Sequence, residues 1–319
     1  MSPPNLPRPF VGIIPPLATP LLAEDRLDHA GLERLVAHVL AGGVHGLFLL
    51  GSTGEGPSLS YALRRELVER VSELVGGRVP LLVGITDTSF QEAVQMAEWA
   101  QECDAAAVVV APPCYFVPSQ HELTGYMQRL AATVELPVYL YNMPGLTKVA
   151  IDLDTVAQLL DVPNIVGLKD SSAQMLYFHK VRQLVARRPD FTLLMGPEEL
   201  TAEAVLLGGH GGICGGANLA PRLYVDLFDA ARAGDLPRVR TLHDRVIRLS
   251  SLLYSIGPAS SSYLRGLKTA LHCVGLCDDY LAEPYRRFND AERALLRARL
   301  DELGLTHGAT TPSSVSRIS

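Results

Sequence analysis

A lysine stands at the end of one of the short apolar runs of the sequence. Lys169 follows the run 164–168 and precedes Asp170, in a chain with only four lysines among its 28 basic residues. If the run is a buried strand, the amine is partly removed from water, which favours its uncharged form. An uncharged amine is a nucleophile that can form a Schiff base with a ketone. A surface lysine paired with Asp170 is the alternative, and both interpretations stay open.

Other residues that end apolar runs suit the same chemistry. Tyr141 ends the run 137–141, where its phenol can exchange protons with a carbinolamine at Lys169. Ser52 and Thr53 stand between glycines after another run, and the backbone N–H groups of such a turn can hold a carboxylate or phosphate. The alternatives are a tyrosine at the edge of the core and an ordinary glycine-rich turn.

These positions can act together only if the chain brings the ends of the runs to one place. Eight short apolar runs alternate with stretches of 3.6-residue periodicity, which predicts buried parallel strands joined by helices. Eight such units predict an α/β fold, the (β/α)8 TIM barrel, with the active site at the C-terminal ends of the strands. The predicted strands are residues 11–14, 46–50, 80–84, 105–110, 137–141, 164–168, 191–195 and 211–214.

The length of 319 residues allows either two domains or one barrel with an appendage, and the pattern favours the barrel. We expect an N-terminal tail at 1–9 and the barrel at 10–230. A C-terminal helical extension without a chemical role is expected at 231–304, and a disordered tail at 305–319. Within the extension, the helical patterns are 236–256, 259–274 and 290–303.

Composition excludes several classes of function. The net charge is −6, so nucleic acid and anionic membrane surfaces are not expected as partners. The long uncharged stretches 105–120 and 204–221 contain prolines or glycines, so neither predicts a membrane-spanning helix. Five cysteines give no disulfide framework, and no signal sequence precedes Phe10, so the expected location is the cytoplasm.

Taken in chain order, the motifs resemble the dihydrodipicolinate synthase / N-acetylneuraminate lyase family. Three of them are Gly51-Ser-Thr-Gly-Glu55, Tyr141-Asn-Met-Pro144 and Gly167-Leu-Lys-Asp170. Thr19-Pro20, Pro113-Cys114-Tyr115 and Gly209-His-Gly-Gly-Ile213 also match. The resemblance covers residues 10 to 300.

The resemblance implies a class I pyruvate aldolase that uses no cofactor and no metal. It implies that Lys169 forms the Schiff base with pyruvate or another 2-oxo acid, and that Tyr141 moves protons to and from the reacting oxygens. It further implies that Ser52 relays between Tyr141 and Tyr115 of a neighbouring copy. The chain is therefore expected to form a homo-oligomer, a dimer of dimers.

The same resemblance implies how the small acid is bound. Ser52 and Thr53 match the residues that hold the carboxylate of pyruvate, and Ile213 matches the residue whose main-chain carbonyl faces its methyl group. The expected partners are pyruvate or a 2-oxo acid together with an aldehyde.

Departures from the family motifs narrow the expected substrate. Leu146 stands where synthases acting on aspartate semialdehyde usually carry an arginine, and leucine cannot pair with a second carboxylate. Sialic acid lyases place a serine where this chain has Gly215. The run that begins Gly196-Pro197-Glu198 resembles aldolases for 2-keto-3-deoxy sugar acids, with Gly196 and Glu198 as candidate ligands of substrate hydroxyls.

The leading hypothesis is therefore reversible cleavage of a 2-keto-3-deoxy sugar acid or 4-hydroxy-2-oxo acid to pyruvate and an aldehyde. Dihydrodipicolinate synthase and N-acetylneuraminate lyase are the alternatives within the family. Outside this chemistry, the alternatives are a phosphate-binding isomerase barrel that uses the loop 208–216 and a non-catalytic pyruvate-binding protein. Cys273, Cys277 and His272 are expected to pack a helical core rather than bind a metal.

Overall fold

Eight parallel strands form a single sheet. The computed structural model describes residues 6–257 and 261–305. The strands are β1 (Gly12–Ile13), β2 (Leu47–Leu49), β3 (Leu81–Gly84), β4 (Ala107–Val110), β5 (Val138–Asn142), β6 (Ile165–Asp170), β7 (Thr192–Met195) and β8 (Gly211–Gly212). Their order in the sheet is β1-β8-β7-β6-β5-β4-β3-β2. All eight predicted strands are confirmed, although β1 and β8 are shorter than expected and β6 continues through Lys169 and Asp170.

The sheet curls so that its two edges come close. The N–H of His45 donates to the carbonyl of Ile13 at 2.9 Å, and the N–H of Phe48 donates to Pro15 at 2.9 Å. The N–H of Leu17 donates back to Phe48 at 2.8 Å. Backbone hydrogen bonds therefore join the segment after β1 to β2.

Helices connect the strands and continue beyond them. They are α1 (His29–Ala41), α2 (Tyr61–Val75), α3 (Phe90–Glu102), α4 (Gln120–Thr133), α5 (Pro144–Thr147), α6 (Leu153–Leu159), α7 (Met175–Val185), α8 (Thr201–Leu206), α9 (Pro221–Ala233), α10 (Leu236–Leu253), α11 (Ser262–Cys273) and α12 (Asp290–Glu302). Short 3₁₀ turns occupy Gly56–Ser58, Glu198–Leu200 and Gly215–Asn218, and a small antiparallel hairpin pairs Leu21–Ala23 with Arg26–Leu27.

The helix starts follow from local sequence. Ser60, Ser89 and Ser119 each accept a hydrogen bond at the N-terminus of α2, α3 and α4, and Ser119 completes a capping box with Glu122. Such caps satisfy N–H groups that have no partner within the helix. No helix in the described ranges combines the length and apolarity needed to cross a membrane.

Strand side chains are buried on both faces of the sheet. Between the strands and the surrounding helices lies an outer cluster that includes Leu47, Leu49, Val108, Val110, Val138 and Leu140. Inside the curl lies an inner cluster that includes Phe48, Leu82, Val109, Tyr139, Val166 and Leu194. Burial on both faces explains why the strands read as continuous apolar runs. Because both faces of the sheet are covered, a polar side chain at the end of a strand has little access to water.

Only part of the predicted terminal segments is described. Residues 1–5 and 306–319 lie outside the described residues, and so do residues 258–260 within the predicted helix 259–274. Leu6, predicted to belong to an N-terminal tail, is buried against the inner cluster.

A buried ion pair connects helix α11 to the loop after β2. Lys268 on α11 lies 2.6 Å from Glu55, and both side chains are almost completely removed from water. The second carboxylate oxygen of Glu55 accepts from the backbone N–H of Ala282 at 2.8 Å. Two charges this deeply buried depend on each other, because removing one partner leaves the other charge without compensation.

The ion pair predicts a large stability loss on single substitution. Lys268→Met is expected to lower the free energy of unfolding by about 3–5 kcal/mol, since Glu55 is left buried and unpaired. Lys268→Met/Glu55→Gln should recover part of that loss. Urea unfolding followed by circular dichroism measures both.

The control is the exposed pair Arg248–Glu302, which is 2.7 Å apart with side chains 55% and 52% exposed. Arg248→Met should cost less than about 1 kcal/mol. Equal losses for Arg248→Met and Lys268→Met would contradict a special role for the buried pair.

Candidate active site

Lys169 lies near the end of β6 with its amine inside the curl of the sheet. The residue is 5% exposed and stands opposite Tyr141 in the register of β5 and β6. Its Nζ atom lies 4.0 Å from the centroid of the Tyr141 ring and 5.0 Å from that of Phe48. Aromatic faces stabilise a cation, but they supply few hydrogen bonds to replace water. The amine is therefore largely removed from water and lies beside two aromatic rings.

Asp170 does not pair with Lys169, so the surface ion pair considered above is wrong. Its carboxylate accepts from the side-chain amide of Asn142 at 2.8 Å, and from the backbone and hydroxyl of Ser172 at 3.1 and 3.0 Å. The residue is 1% exposed, and burial raises the pKa of its carboxyl. Asp170 thus fixes the turn after β6 to the end of β5.

Tyr141 is the group best placed to exchange protons at Lys169. Its hydroxyl lies 3.4 Å from the Ser52 hydroxyl. Burial alone would raise the pKa of Tyr141, but the Lys169 charge and hydrogen bonds from Ser52, Lys169 and Ser171 outweigh it. The net effect lowers the pKa of Tyr141 below that of a free tyrosine. A phenol with a lowered pKa gives and takes a proton more readily near neutral pH.

The turn after β2 places Ser52 and Thr53 at the same end of the sheet. Thr53 is buried, and its hydroxyl lies 3.0 Å from the hydroxyl of Tyr263. The carbonyl of Gly54 accepts from Thr19 at 2.7 Å. The turn is therefore anchored from two directions, by the segment after β1 and by helix α11.

Tyr263 contacts the turn that carries Thr53, and this contact was not expected from the sequence. Tyr263 is the second residue of α11, in the extension predicted to have no chemical role. Neither strand periodicity nor motif spacing links residue 263 to residue 53, because the contact depends on how α11 packs. The sequence likewise gave no indication that Lys268, on the same helix, would pair with Glu55.

Ile213 and Gly196 follow β8 and β7. The N–H of Ile213 donates to Met195 at 2.8 Å, and the N–H of Gly196 donates to Asp170 at 2.7 Å. A Cβ atom at residue 196 would lie 1.9 Å from the Ser171 hydroxyl, so only glycine fits. Both residues therefore line the strand ends beside Lys169.

Glu198 has no free carboxylate oxygen in the structure. One oxygen accepts from the N–H of Gly216 at 2.6 Å, and the other accepts from the Tyr224 hydroxyl at 2.7 Å. Burial raises the pKa of Glu198 to about 7, with the neighbouring Glu199 acting in the same direction. In this arrangement the carboxyl supports the turn 215–218.

Tyr115 lies away from these residues on an exposed loop after β4. It is 86% exposed, has a φ of +77°, and meets the Phe116 ring edge-on at 5.0 Å. Within its own chain the phenol packs into no pocket, so a role at a Lys169 site needs a second chain.

One group of potential metal ligands occurs among the described residues, away from Lys169. His272, Asp278 and Asp279 can bring ligand atoms within 4.8 Å of one another. Asp279 is already paired with Arg293 at 2.6 Å and with Arg287 at 3.0 Å. Its charge is compensated within the protein. Cys273 ends α11 and packs against the outer cluster, and Cys277, in the segment after that helix, is buried within the cluster.

Sequence comparisons connect the chain to known enzymes. The model of the dihydrodipicolinate synthetase family matches residues 9–303. A 4-hydroxy-tetrahydrodipicolinate synthase of Methanopyrus kandleri is 34% identical over 298 residues, covering 92% of this chain and 96% of the relative. A probable 2-dehydro-3-deoxy-D-pentonate aldolase of Escherichia coli, YjhH, is 34% identical over 297 residues, covering 91% and 97%.

Solved structures similar to this chain come from the same family. A dihydrodipicolinate synthase of Bacteroides thetaiotaomicron superimposes with a TM-score of 0.90 at 47% identity, covering 92% of this chain and 99% of that one. YagE of Escherichia coli, a prophage protein of the dihydrodipicolinic acid synthase family crystallised with pyruvate, gives a TM-score of 0.88 at 31% identity, covering 93% and 99%.

The raised pKa of Glu198 predicts a pH-dependent stability. The folded-state pKa of about 7 lies above the ordinary value of 4.5, so the folded state holds the proton more tightly than the unfolded state. The stabilisation is complete below pH 4.5 and is lost as the pH rises through 7. The unfolding free energy of the wild type relative to Glu198→Gln should fall over this interval by up to about 3 kcal/mol.

Urea unfolding at a series of pH values measures this difference. Glu203→Gln, which changes an exposed carboxylate on α8, serves as the control and should show no comparable trend. A pH-independent difference between the wild type and Glu198→Gln would contradict the prediction.

Proposed function

The chain belongs to the dihydrodipicolinate synthetase family, and on that premise we propose which substrate it cleaves and which residues act. It is a class I pyruvate aldolase, and the proposed reaction is reversible cleavage of a 2-keto-3-deoxy sugar acid or 4-hydroxy-2-oxo acid. The products are pyruvate and an aldehyde. The observation that carries the proposal is the buried Lys169 amine against the Tyr141 ring, at the ends of parallel strands.

In the proposed mechanism, Lys169 Nζ adds to the C2 carbonyl of the oxo acid. The carbinolamine loses water and becomes an iminium ion. The C4 hydroxyl then gives up its proton, the C3–C4 bond breaks, and its electron pair moves into the iminium to form an enamine. The aldehyde leaves, the enamine takes a proton at C3, and water hydrolyses the new iminium to release pyruvate. Atoms and charges balance without a redox partner.

Tyr141 is proposed as the group that moves these protons. Its hydroxyl is hydrogen-bonded to Ser52, and its lowered pKa suits both donation and acceptance. Ser52 then connects the phenol to solvent or to a further donor. In the same arrangement Ser52 and Thr53 hold the substrate carboxylate, and the Ile213 carbonyl faces the pyruvate methyl group.

Leu146 supports a sugar-acid aldolase rather than a synthase that acts on aspartate semialdehyde. The residue is 56% exposed on α5, directly after β5, and it carries no charge to hold a second carboxylate. Gly196 and Glu198 remain proposed contributors to the hydroxyl-binding side. Because both Glu198 oxygens already accept hydrogen bonds, its proposed contribution is through the turn that it supports.

The proposed assembly is a dimer of dimers in which Tyr115 enters the site of a neighbouring copy. The exposed aromatic and aliphatic side chains of its loop support this, since Phe116 is 82% and Val117 65% exposed. Contiguous exposed apolar groups of this kind mark contact surfaces. In the proposed dimer, Tyr115 of one copy lies close to Ser52 of the other.

The architecture that we propose is a closed (β/α)8 barrel. The hydrogen bonds between the segment after β1 and β2 support closure. Residues 10–230 would form the barrel and 231–304 the helical extension. The five free cysteines support a reducing location, the cytoplasm.

Substitution of the lysine tests the proposed chemistry. Lys169→Arg keeps the positive charge but cannot form the Schiff base, so pyruvate release should fall at least about 1,000-fold. Lys180→Arg, an exposed lysine on α7, should keep full activity. Pyruvate is assayed with lactate dehydrogenase on 2-keto-3-deoxy sugar acids, with aspartate semialdehyde condensation in parallel. Activity that survives Lys169→Arg would contradict the mechanism, and preference for aspartate semialdehyde would contradict the substrate class.

Mixing two inactive variants tests the proposed assembly. Lys169→Ala and Tyr115→Ala are each expected to be inactive. If Tyr115 serves the partner's site, random mixed dimers restore one complete site in each heterodimer, about a quarter of all sites. The variants are mixed, unfolded, refolded together and assayed. If Tyr115 acts within its own chain, no activity returns.

A further inference from the structure

Helix α11 brings a phenol to the turn that holds the proposed carboxylate ligands. The Tyr263 hydroxyl lies 3.0 Å from the Thr53 hydroxyl. Its ring packs against Tyr254 with centroids 4.7 Å apart, and the helix is anchored nearby by the Lys268–Glu55 ion pair. The phenol is therefore held in place from both sides.

The Tyr263 hydroxyl occupies the space that a side chain at Gly215 would need. A Cβ atom at Gly215 would lie 1.7 Å from the Tyr263 oxygen and 2.9 Å from the adjacent ring carbon. No side chain can stand at residue 215 while Tyr263 keeps its place. Gly215 begins the turn after β8, so the phenol spans from that turn to the one after β2.

Either hydroxyl can donate in this contact, and the arrangement that serves an anion is the one in which Tyr263 donates. A threonine hydroxyl has one hydrogen to donate and two lone pairs to accept with. When Tyr263 donates to Thr53, the Thr53 hydrogen is free for an anion, and a chain of two donors strengthens the outer bond. Burial, followed by the charge of Glu198, raises the pKa of Tyr263, so the phenol stays protonated.

We propose that Tyr263 is a positioning residue that directs the Thr53 hydroxyl toward the carboxylate of the 2-oxo acid, and that Gly215 is required to admit it. The inference rests on the proposed function, since it takes Thr53 as a carboxylate ligand. It assigns the C-terminal helices a part in substrate binding, where only a structural part was expected.

Borohydride trapping of the Schiff base over a range of pyruvate concentrations tests the inference. Tyr263→Phe removes only the hydroxyl, and it should raise the half-saturating pyruvate concentration about threefold to tenfold. The maximal trapping rate should stay within about twofold, because Lys169 and Tyr141 are unchanged. Tyr254→Phe, the matched control on the same ring pair, should leave both values within about twofold.

Acetone, a ketone without a carboxylate, separates positioning from a general disturbance. Tyr263→Phe should leave the trapping of acetone as in the wild type while weakening that of pyruvate. An unchanged half-saturation for pyruvate, an equal loss with acetone, or the same loss in Tyr254→Phe would overturn the inference and leave the proposed function standing. Absence of any Lys169-dependent trapping in the wild type would overturn both.

Gly215→Ala tests whether Gly215 is required to admit the Tyr263 phenol. In the wild-type background it should weaken pyruvate trapping more than Tyr263→Phe does, because the new methyl group displaces the phenol. In the Tyr263→Phe background the further loss should be clearly smaller. Thermal unfolding of each variant shows whether it is folded, and strictly additive losses among folded variants would contradict a shared space.

Discussion

The site depends on burying an amine where a parallel sheet ends. The side chain of Leu168 packs outward, so that of Lys169 enters the curl of the sheet, where the rings of Tyr141 and Phe48 replace much of its water. This placement sets the amine against the ring of the phenol that we propose as its proton partner. Burial alone would raise the pKa of the Tyr141 phenol. The charge of Lys169, together with hydrogen bonds to the phenol, lowers it instead.

A buried nucleophile is useful only if the loops around it keep a fixed shape. Here each loop is held by polar groups that are themselves buried: Asp170 holds the turn after β6, Glu198 the turn 215–218, and Glu55 the turn after β2. The partners of Glu55 and Glu198 lie on or beside α9 and α11, outside the strands. The helices that follow the sheet are thus part of what shapes the site.

Local sequence was enough to predict the strands and to place Lys169 and Tyr141 at the ends of two of them. Continuous apolar runs marked all eight strands, and the positions of Lys169 and Tyr141 at their ends follow from the direction of parallel strands. The hairpin at 21–27 and the partners of Asp170 and Glu198 could not be predicted, because each depends on contacts between distant segments. Tyr263 shows this most clearly, since 210 residues separate it from Thr53 and only packing brings them together.

Mapping of the covalent adduct tests the central claim most directly. The protein is incubated with pyruvate, reduced with borohydride, digested and analysed by tandem mass spectrometry. The account predicts that, of the four lysines in the chain, the reduced pyruvyl group is found on Lys169 alone. An adduct on Lys148, Lys180 or Lys268 instead, or none under conditions that trap a known class I aldolase, would contradict it.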